Sequence, residues 1–81
     1  MEKDWFVYLL ECCDGSFYTG VTNDIENRMK VHVSGKGSKY VRQKGFLKLL
    51  ASKKCGTRSD ACKIECEIKK LSKWEKVRWF D

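Results

Sequence analysis

Two short runs of strand-forming residues, separated by Asp14 and Gly15, limit the folds open to this chain more than any other feature. Trp5–Cys12 is dense in aromatic and β-branched residues, and residues 16–21 alternate well enough to form a return strand. An Asp-Gly pair between two such runs is a strong signal for a tight turn. The chain is therefore expected to begin with a β-hairpin.

A first helix is predicted directly after the hairpin. Thr22 or Asn23 can cap its N-terminus, and Gly35 suits the left-handed conformation that often ends a helix. Apolar side chains at i, i+4 and i+8 are expected to form its buried stripe, namely Ile25, Met29 and Val33.

The rest of the chain predicts one more strand and two more helices. Residues 36–45 are rich in glycine and basic residues, which indicates a loop with at most a short turn of helix, and residues 46–52 form the third strand. Ser72 and Glu75 have the spacing of a capping box at the start of the last helix. The apolar positions of the last two helices are predicted to face the core: Ala61, Ile64, Ile68, Leu71, Trp74, Val77 and Phe80.

The predicted order of elements is β-β-α-β-α-α, which indicates an α+β fold with a small sheet covered by helices. A chain of 81 residues buries only about 60% of its unfolded surface, so a single domain over residues 1–81 is expected. The longest apolar run, residues 5–10, is far shorter than the roughly 20 residues that cross a bilayer. We therefore expect a cytoplasmic protein that makes no membrane contact.

Charge is distributed unevenly along the sequence. The chain has a net charge of +6, yet residues 27–59 hold ten basic side chains and no acidic one. A basic region that also contains Tyr40 and Phe46 suits a nucleic acid, because lysine and arginine neutralise phosphates while aromatic rings stack on unpaired bases. The alternative is a solvated lysine-rich surface that only aids solubility.

The five cysteines make an odd count and argue against a disulfide framework. Cys62 and Cys66 lie four residues apart on a predicted helix, but the close second ligand pair of a structural zinc site is missing. Free thiols are therefore expected. A thiol-metal site around Cys55, Cys62 and Cys66 is a third, less favoured hypothesis for the function of the chain.

A few polar side chains have spacings that suit chemistry. Arg28 and His32 fall on one stripe of the first helix, although Asp24 and Arg28 can equally form an ion pair on an exposed face. Tyr8 and Tyr18 lie on either side of the hairpin turn, where tyrosines at the edge of a core are also common. Glu65 lies near the edge of the buried stripe of a later helix.

Taken in order, these residues resemble the GIY-YIG nuclease domain from about Trp5 to Trp79. Val7-Tyr8 stands in the first family motif and Tyr18-Thr19-Gly20 in the second, and Arg28, His32 and Glu65 match the later positions. Residues 21–24 and 67–72 are similar to the small stand-alone branch of the family, which includes many uncharacterised bacterial proteins. The family fold, a three-stranded antiparallel sheet flanked by helices, agrees with the pattern above.

The sequence departs from the family at several positions. Phe6 replaces a glycine and Thr19 an isoleucine, and Val21 stands where repair members of the family have a lysine. The late asparagine of some homing members has no counterpart, and the extra DNA-binding domains of homing and repair members are not seen.

The resemblance implies a metal-dependent endonuclease that hydrolyses phosphodiester bonds, in DNA more than in RNA. Glu65 would hold one Mg²⁺ or Mn²⁺ and Arg28 would neutralise the developing charge. Tyr8, Tyr18 and His32 would activate or orient the attacking water, and which of them is the general base stays open. The expected contacts to the substrate backbone lie in the predicted loop, at Lys36, Lys39, Tyr40, Arg42 and Lys44.

A domain of this size buries too little surface to read a long sequence by itself, so we expect selection by substrate structure. A partner protein that supplies substrate recognition is compatible with the missing recognition domain. The alternative function is a nucleic-acid-binding module of the same fold, without catalysis, that acts with such a partner.

Overall fold

The predicted hairpin forms the centre of the fold in the computed structural model, which describes residues 4–81. Strands β1 (Trp5–Cys12) and β2 (Phe17–Thr22) pair antiparallel, and β3 (Phe46–Gly56) pairs antiparallel with the other side of β1. The strand order is β2-β1-β3, so both β2 and β3 are edge strands. The turn forms because Gly15 adopts a φ of +87°, which glycine tolerates without strain. The three-stranded antiparallel sheet is confirmed.

Four helices complete the fold: α1 (Ile25–Val33), α2 (Lys39–Lys44), α3 (Arg58–Lys69) and α4 (Lys73–Phe80). The predicted order is confirmed, and α2 fills the segment for which a loop with a short turn of helix was expected. Ser38 caps α2 by accepting a hydrogen bond from the Val41 amide, and the Val41 side chain is buried. One well-placed apolar residue thus anchors a helix that has no apolar period.

The first helix differs from its prediction in its cap and in its buried face. Asp24, not Thr22 or Asn23, is the cap, and its carboxylate accepts a hydrogen bond from the Asn27 amide. Val33 is 69% exposed, whereas His32 is buried. At 3.6 residues per turn, position i+7 returns almost to the direction of Ile25, while i+8 is rotated away by about 80°. His32 therefore points inward in place of Val33.

The third strand is longer than predicted, because it continues past Ser52 to Gly56. Its pairing with β1 runs to the Trp5–Gly56 pair and carries Lys53 and Lys54 along an exposed edge. Charged side chains are common on such edges, where they oppose pairing with other chains. A sequence pattern that ends a strand at its first run of polar residues misses this extension.

Both faces of β1 are buried. On one face Tyr8, Leu10 and Cys12 form a cluster with Val41, against which side chains from β2, α1 and β3 pack. Val7 and Leu9 point to the opposite face and are also fully buried. The helix α3 packs against all three strands, with Ala61 and Ile68 buried.

Trp74 does not join the core as predicted. Its side chain is 67% exposed, and its ring meets the Phe17 ring edge-on near the hairpin turn, with 5.8 Å between centroids. Val77 and Phe80, farther along the same short helix, are half-buried. Within residues 4–81, every helix is too short or too polar to cross a membrane.

Candidate active site

All five residues predicted to be catalytic line one open pocket of about 350 Å³. They come from four elements, because Tyr8 lies on β1, Tyr18 on β2, Arg28 and His32 on α1, and Glu65 on α3. The remaining lining residues are Val21, Lys36, Gly37 and Ser38. Residues up to 57 positions apart in sequence therefore meet around one cavity.

A hydrogen bond between Tyr8 and His32 lies at the back of this pocket. The Tyr8 Oη and His32 Nε2 atoms are 2.9 Å apart, and both side chains are buried. Burial, together with the neighbouring Tyr18, raises the pKa of Tyr8 well above its ordinary value of 10.0. Burial, and secondarily the charge of Arg28, lowers the pKa of His32 below its ordinary 6.5. At neutral pH the pair is therefore a neutral phenol and a neutral imidazole.

Two glycines make room for this pair. Gly20 lies directly opposite Tyr8 in the β1–β2 register, and a Cβ atom there would lie 2.5 Å from Tyr8 Oη. Gly37 lies against the other side of His32, where a Cβ atom would be 2.8 Å from Cε1. The glycine of the second motif is therefore a steric requirement of the site.

Further aromatic rings fix the orientation of His32. The Phe46 ring lies almost parallel to it, with 6.1 Å between centroids and 10° between planes. Tyr18 approaches it edge-on, and Tyr40 stacks in turn on Tyr18 at 5.8 Å. Phe46 thus supports the histidine, a role that the sequence did not suggest, and base stacking by Phe46 stays a prediction. Its role depends on a tertiary contact that the sequence pattern does not reveal.

Arg28 lies one helical turn before His32 and faces the same pocket. The alternative prediction, an ion pair with Asp24 on an exposed face, is wrong, because the Asp24 carboxylate caps α1 instead. None of the ion pairs within residues 4–81 involves Arg28. Its guanidinium is therefore available to an anion in the pocket.

Glu65 enters the pocket from α3 with a side chain that is 19% exposed. Its Oε2 atom lies 3.5 Å from Lys69 Nζ, one turn farther along the helix. Lys69 Nζ also lies 5.9 Å from the centre of the Tyr18 ring. Lys69 was not among the predicted site residues, although its i+4 spacing from Glu65 is the pattern that places a lysine beside a carboxylate.

The predicted substrate contacts surround the same opening. Lys36 lines the pocket, and Lys39, Tyr40 and Arg42 are exposed on α2. Lys44 is engaged elsewhere, because its Nζ atom lies 3.3 Å from an Asp14 carboxylate oxygen. Of the predicted substrate contacts, Lys36 is thus the one that lines the pocket, and Lys44 is paired at the hairpin turn.

The chemistry of the thiols is separate from this pocket. All five cysteines are free, and within residues 4–81 no cluster of three or more histidine, cysteine or acidic side chains has the geometry to bind a metal ion. The thiol-metal hypothesis therefore has no ligand cluster in the described part of the chain.

Comparison with known proteins gives a consistent result. Residues 4–78 match the GIY-YIG catalytic domain. The chain is 46% identical over 75 residues to a UPF0213 protein of Cupriavidus necator, covering 93% of this chain and 82% of that one. A UPF0213 protein of Oceanobacillus iheyensis is 42% identical over 81 residues, which is 100% of this chain and 94% of the relative.

Two solved structures are similar as well. The solution NMR structure of the UPF0213 protein BH0048 from Bacillus halodurans has a TM-score of 0.56 and 44% identity, covering 94% of this chain and 81% of that one. The solution NMR structure of the protein EF2693 from E. faecalis has a TM-score of 0.66 and 40% identity, covering 96% and 83%.

Proposed function

The chain belongs to the GIY-YIG family, and on that basis we propose that it is a metal-dependent endonuclease acting on nucleic acid. DNA is the preferred substrate and is chosen by structure and not by a long sequence. One observation carries the proposal: the buried hydrogen bond between Tyr8 and His32 shares a pocket with Arg28 and Glu65. Metal-dependent hydrolysis of a phosphodiester requires a proton acceptor, a cation on the phosphoryl oxygens and a bound metal ion, and His32, Arg28 and Glu65 are the residues that would provide or hold them.

The tyrosine and histidine together activate the water. The raised pKa of Tyr8 keeps its phenol protonated at neutral pH, so phenolate alone is a poor base. The lowered pKa of His32 keeps its imidazole neutral and able to accept a proton. In the proposed step, a proton leaves the attacking water for Tyr8 Oη while the phenolic proton passes to His32 Nε2. Both residues thus act as one base.

Arg28 supports the phosphate as charge develops on it. A guanidinium presents several N–H donors in a plane that matches phosphate oxygens. Arg28 is half-buried, so its charge is less screened than that of a surface lysine. Its position one turn from His32 sets the phosphate beside the proton acceptor.

Glu65 is the residue that would hold Mg²⁺ or Mn²⁺. The donor set fits such an ion, because Mg²⁺ binds through one or two carboxylates and completes its shell with water and substrate phosphate oxygens. The half-buried carboxylate lines the pocket, and its ion pair with Lys69 is made through its Oε2 atom. When bound, the ion would polarise the phosphoryl group and neutralise the leaving oxygen.

Cleavage of a substrate panel tests the proposal. Labelled single-stranded, duplex, flapped and branched DNA and RNA are incubated with the protein and Mg²⁺ or Mn²⁺, with and without EDTA. We expect cleavage that EDTA abolishes and that Glu65→Gln reduces at least about 100-fold. Glu67→Gln is the matched control, because Glu67 is exposed two residues farther along the same helix.

The outcome also separates the two candidate functions. Binding without cleavage by the unmodified protein, under both metals and on every substrate, contradicts the nuclease and favours a binding module that acts with a partner protein. Equal cleavage by Glu65→Gln and Glu67→Gln removes Glu65 from the proposed mechanism.

A further inference from the structure

Trp74 is the large aromatic side chain that the structure leaves most exposed within residues 4–81. The ring is held in place, because Phe17 meets it edge-on and Lys73 Nζ lies 5.3 Å from its centre. Lys73 is itself fixed: its Nζ atom donates a 2.6 Å hydrogen bond to the Gly15 carbonyl oxygen and lies 4.5 Å from the Phe17 ring centre. An exposed indole with a lysine beside it has the two components with which proteins hold an unpaired base and its phosphate.

This cluster lies around the edge of the sheet from the candidate active site. Phe17 and Tyr18 are consecutive residues of the edge strand β2, so Tyr18 faces the pocket and Phe17 faces the opposite side of the sheet. Lys69 lies between the Tyr18 ring and the Glu65 carboxylate. We call this surface the β2-edge ridge and define it by five residues: Phe17, Tyr18, Lys69, Lys73 and Trp74.

We propose that the β2-edge ridge binds an unpaired nucleotide of the substrate that passes around the edge of β2 from the pocket, with its base stacked on Trp74 and its phosphates beside Lys73 and, toward the pocket, Lys69. The inference rests on the proposed function for its position relative to the cut. Aromatic rings combined with cations along one track are the features by which proteins hold single-stranded nucleic acid. A base inside a duplex is already stacked on both sides, so the ridge selects substrates with an unpaired strand at this point.

Charge and the distribution of apolar surface favour a nucleotide over a protein partner here. Lys73 lies beside the indole and Lys69 lies beside the Tyr18 ring, which suits phosphates on the path between Trp74 and the pocket. The other large exposed apolar side chains of the described residues lie on α1, α2 and β3, at Val33, Tyr40 and Leu47. Trp74 is thus an isolated aromatic platform and not the centre of a broad apolar face.

Binding of short oligonucleotides to the Glu65→Ala chain tests the proposal without interference from cleavage. In this background, Trp74→Ala is expected to raise the Kd for single-stranded DNA between about fivefold and about 150-fold. The Kd for a blunt duplex of the same length should change less than about twofold. Trp74→Phe, which keeps an aromatic face, should restore most of the single-strand affinity while removing the quenching of tryptophan fluorescence by the oligonucleotide.

Leu47→Ala is the matched control, because Leu47 is also exposed and lies on the other edge strand. It should leave both affinities unchanged. Equal weakening of single-strand and duplex binding by Trp74→Ala overturns the proposal, and so does unchanged single-strand binding. Failure of the nuclease proposal would appear separately, as the absence of cleavage by the unmodified chain.

Discussion

Gly20 provides the space in which Tyr8 and Tyr18 lie side by side. Alanine normally fits a strand better than glycine, so Gly20→Ala would stabilise an ordinary strand. Here the added methyl group would lie 2.5 Å from Tyr8 Oη and 2.6 Å from Tyr8 Cζ, and Tyr8 is buried and hydrogen-bonded to His32. We expect Gly20→Ala to cost about 1–3 kcal/mol of unfolding free energy, measured by denaturant titration, and to abolish cleavage.

Gly15→Ala separates this steric effect from a general loss of stability. Gly15 has a φ of +87° with nothing within 4 Å of an added Cβ atom. The variant should lose stability through its backbone alone, by about 1 kcal/mol, and keep its cleavage rate below the unfolding transition. Comparable loss of cleavage in the two variants would contradict the steric explanation.

The protonation state of His32 is expected to determine how activity depends on pH. The proposed mechanism requires the neutral imidazole, and burial lowers the pKa of His32 below 6.5. Activity should therefore be constant near pH 7 and fall on acidification, with a midpoint below 6.5, in a profile of kcat/KM against pH. A midpoint above 6.5 on this acid side would exclude His32 as the proton acceptor.

The same group affects stability in the same pH range. The unfolded chain binds a proton on this histidine more readily than the folded chain does, so stability is complete above about pH 6.5 and decreases as the pH falls toward the folded pKa. We expect the melting temperature to fall between pH 7.5 and pH 5. His32→Gln should show a smaller fall, since ordinary carboxyl groups titrate mainly below this range.

The sequence predicted the residues of the candidate site but not the residues that pack against them. The motif order predicted Tyr8, Tyr18, Arg28, His32 and Glu65, and the structure brings all of them to one pocket. The lysine beside Glu65 was missed although its i+4 spacing is a signal in the sequence. The ring behind His32 was missed because a ring-ring contact between α1 and β3 depends on how elements pack. Such contacts leave no periodic signal in a single sequence.

Among the elements, α3 links the site to the whole sheet. It carries Glu65 and packs against all three strands. A capping box fixes its start: Thr57 Oγ1 accepts from the Asp60 amide, and the Asp60 carboxylate accepts from the Thr57 amide. Loss of the cap in Thr57→Ala should cost about 0.5–2 kcal/mol and lower the melting temperature by several degrees.

Ser72→Ala is the matched change in α4, which has the same kind of capping box with Glu75. Since α4 packs mainly on β3 and α3 at the end of the chain, its loss is expected to be local. Hydrogen exchange should accelerate within α4 alone in Ser72→Ala, and throughout α3 and the sheet in Thr57→Ala. The reverse pattern would show that α4, and not α3, limits unfolding.

The sequence predicted which segments form strands or helices more reliably than it predicted which side of each helix is buried. The hairpin, the later strand and the helices α1, α3 and α4 were predicted from turn residues and apolar spacing, whereas α2 has no apolar period and was expected only as a short turn of helix within a loop. The errors lie where tertiary packing decides, as in the burial of His32 in place of Val33 and the exposure of Trp74. An apolar residue near either end of a short helix becomes buried only where another element covers that turn.

In the whole molecule, basic residues of the segment 27–59 are found in two separate places. One group lies around the pocket and on α2, where Lys36, Lys39 and Arg42 are found. The other follows the far edge strand β3, at Lys48, Lys53 and Lys54, where Lys54 already pairs with Asp4. β1 separates β3 from the strand that borders the pocket. Removing two charges from either group changes the net charge equally. Only the positions of the two groups can therefore make their effects on binding differ.

Because the two groups of basic residues lie in different places, two double variants with the same change in net charge are predicted to affect nucleic-acid binding differently. Lys39→Gln/Arg42→Gln and Lys48→Gln/Lys53→Gln both reduce the formal net charge of the protein from +6 to +4. If the substrate lies over the pocket and α2, the first pair should reduce the slope of log K against log salt by about 0.7 to 0.9 for each phosphate that is no longer neutralised. The second pair should leave the slope nearly unchanged, because the long-range field of two distant charges is screened over about 10 Å at 0.1 M salt. Equal reductions in the two variants would mean that affinity depends on net charge alone and that the nucleic acid is not held at the pocket.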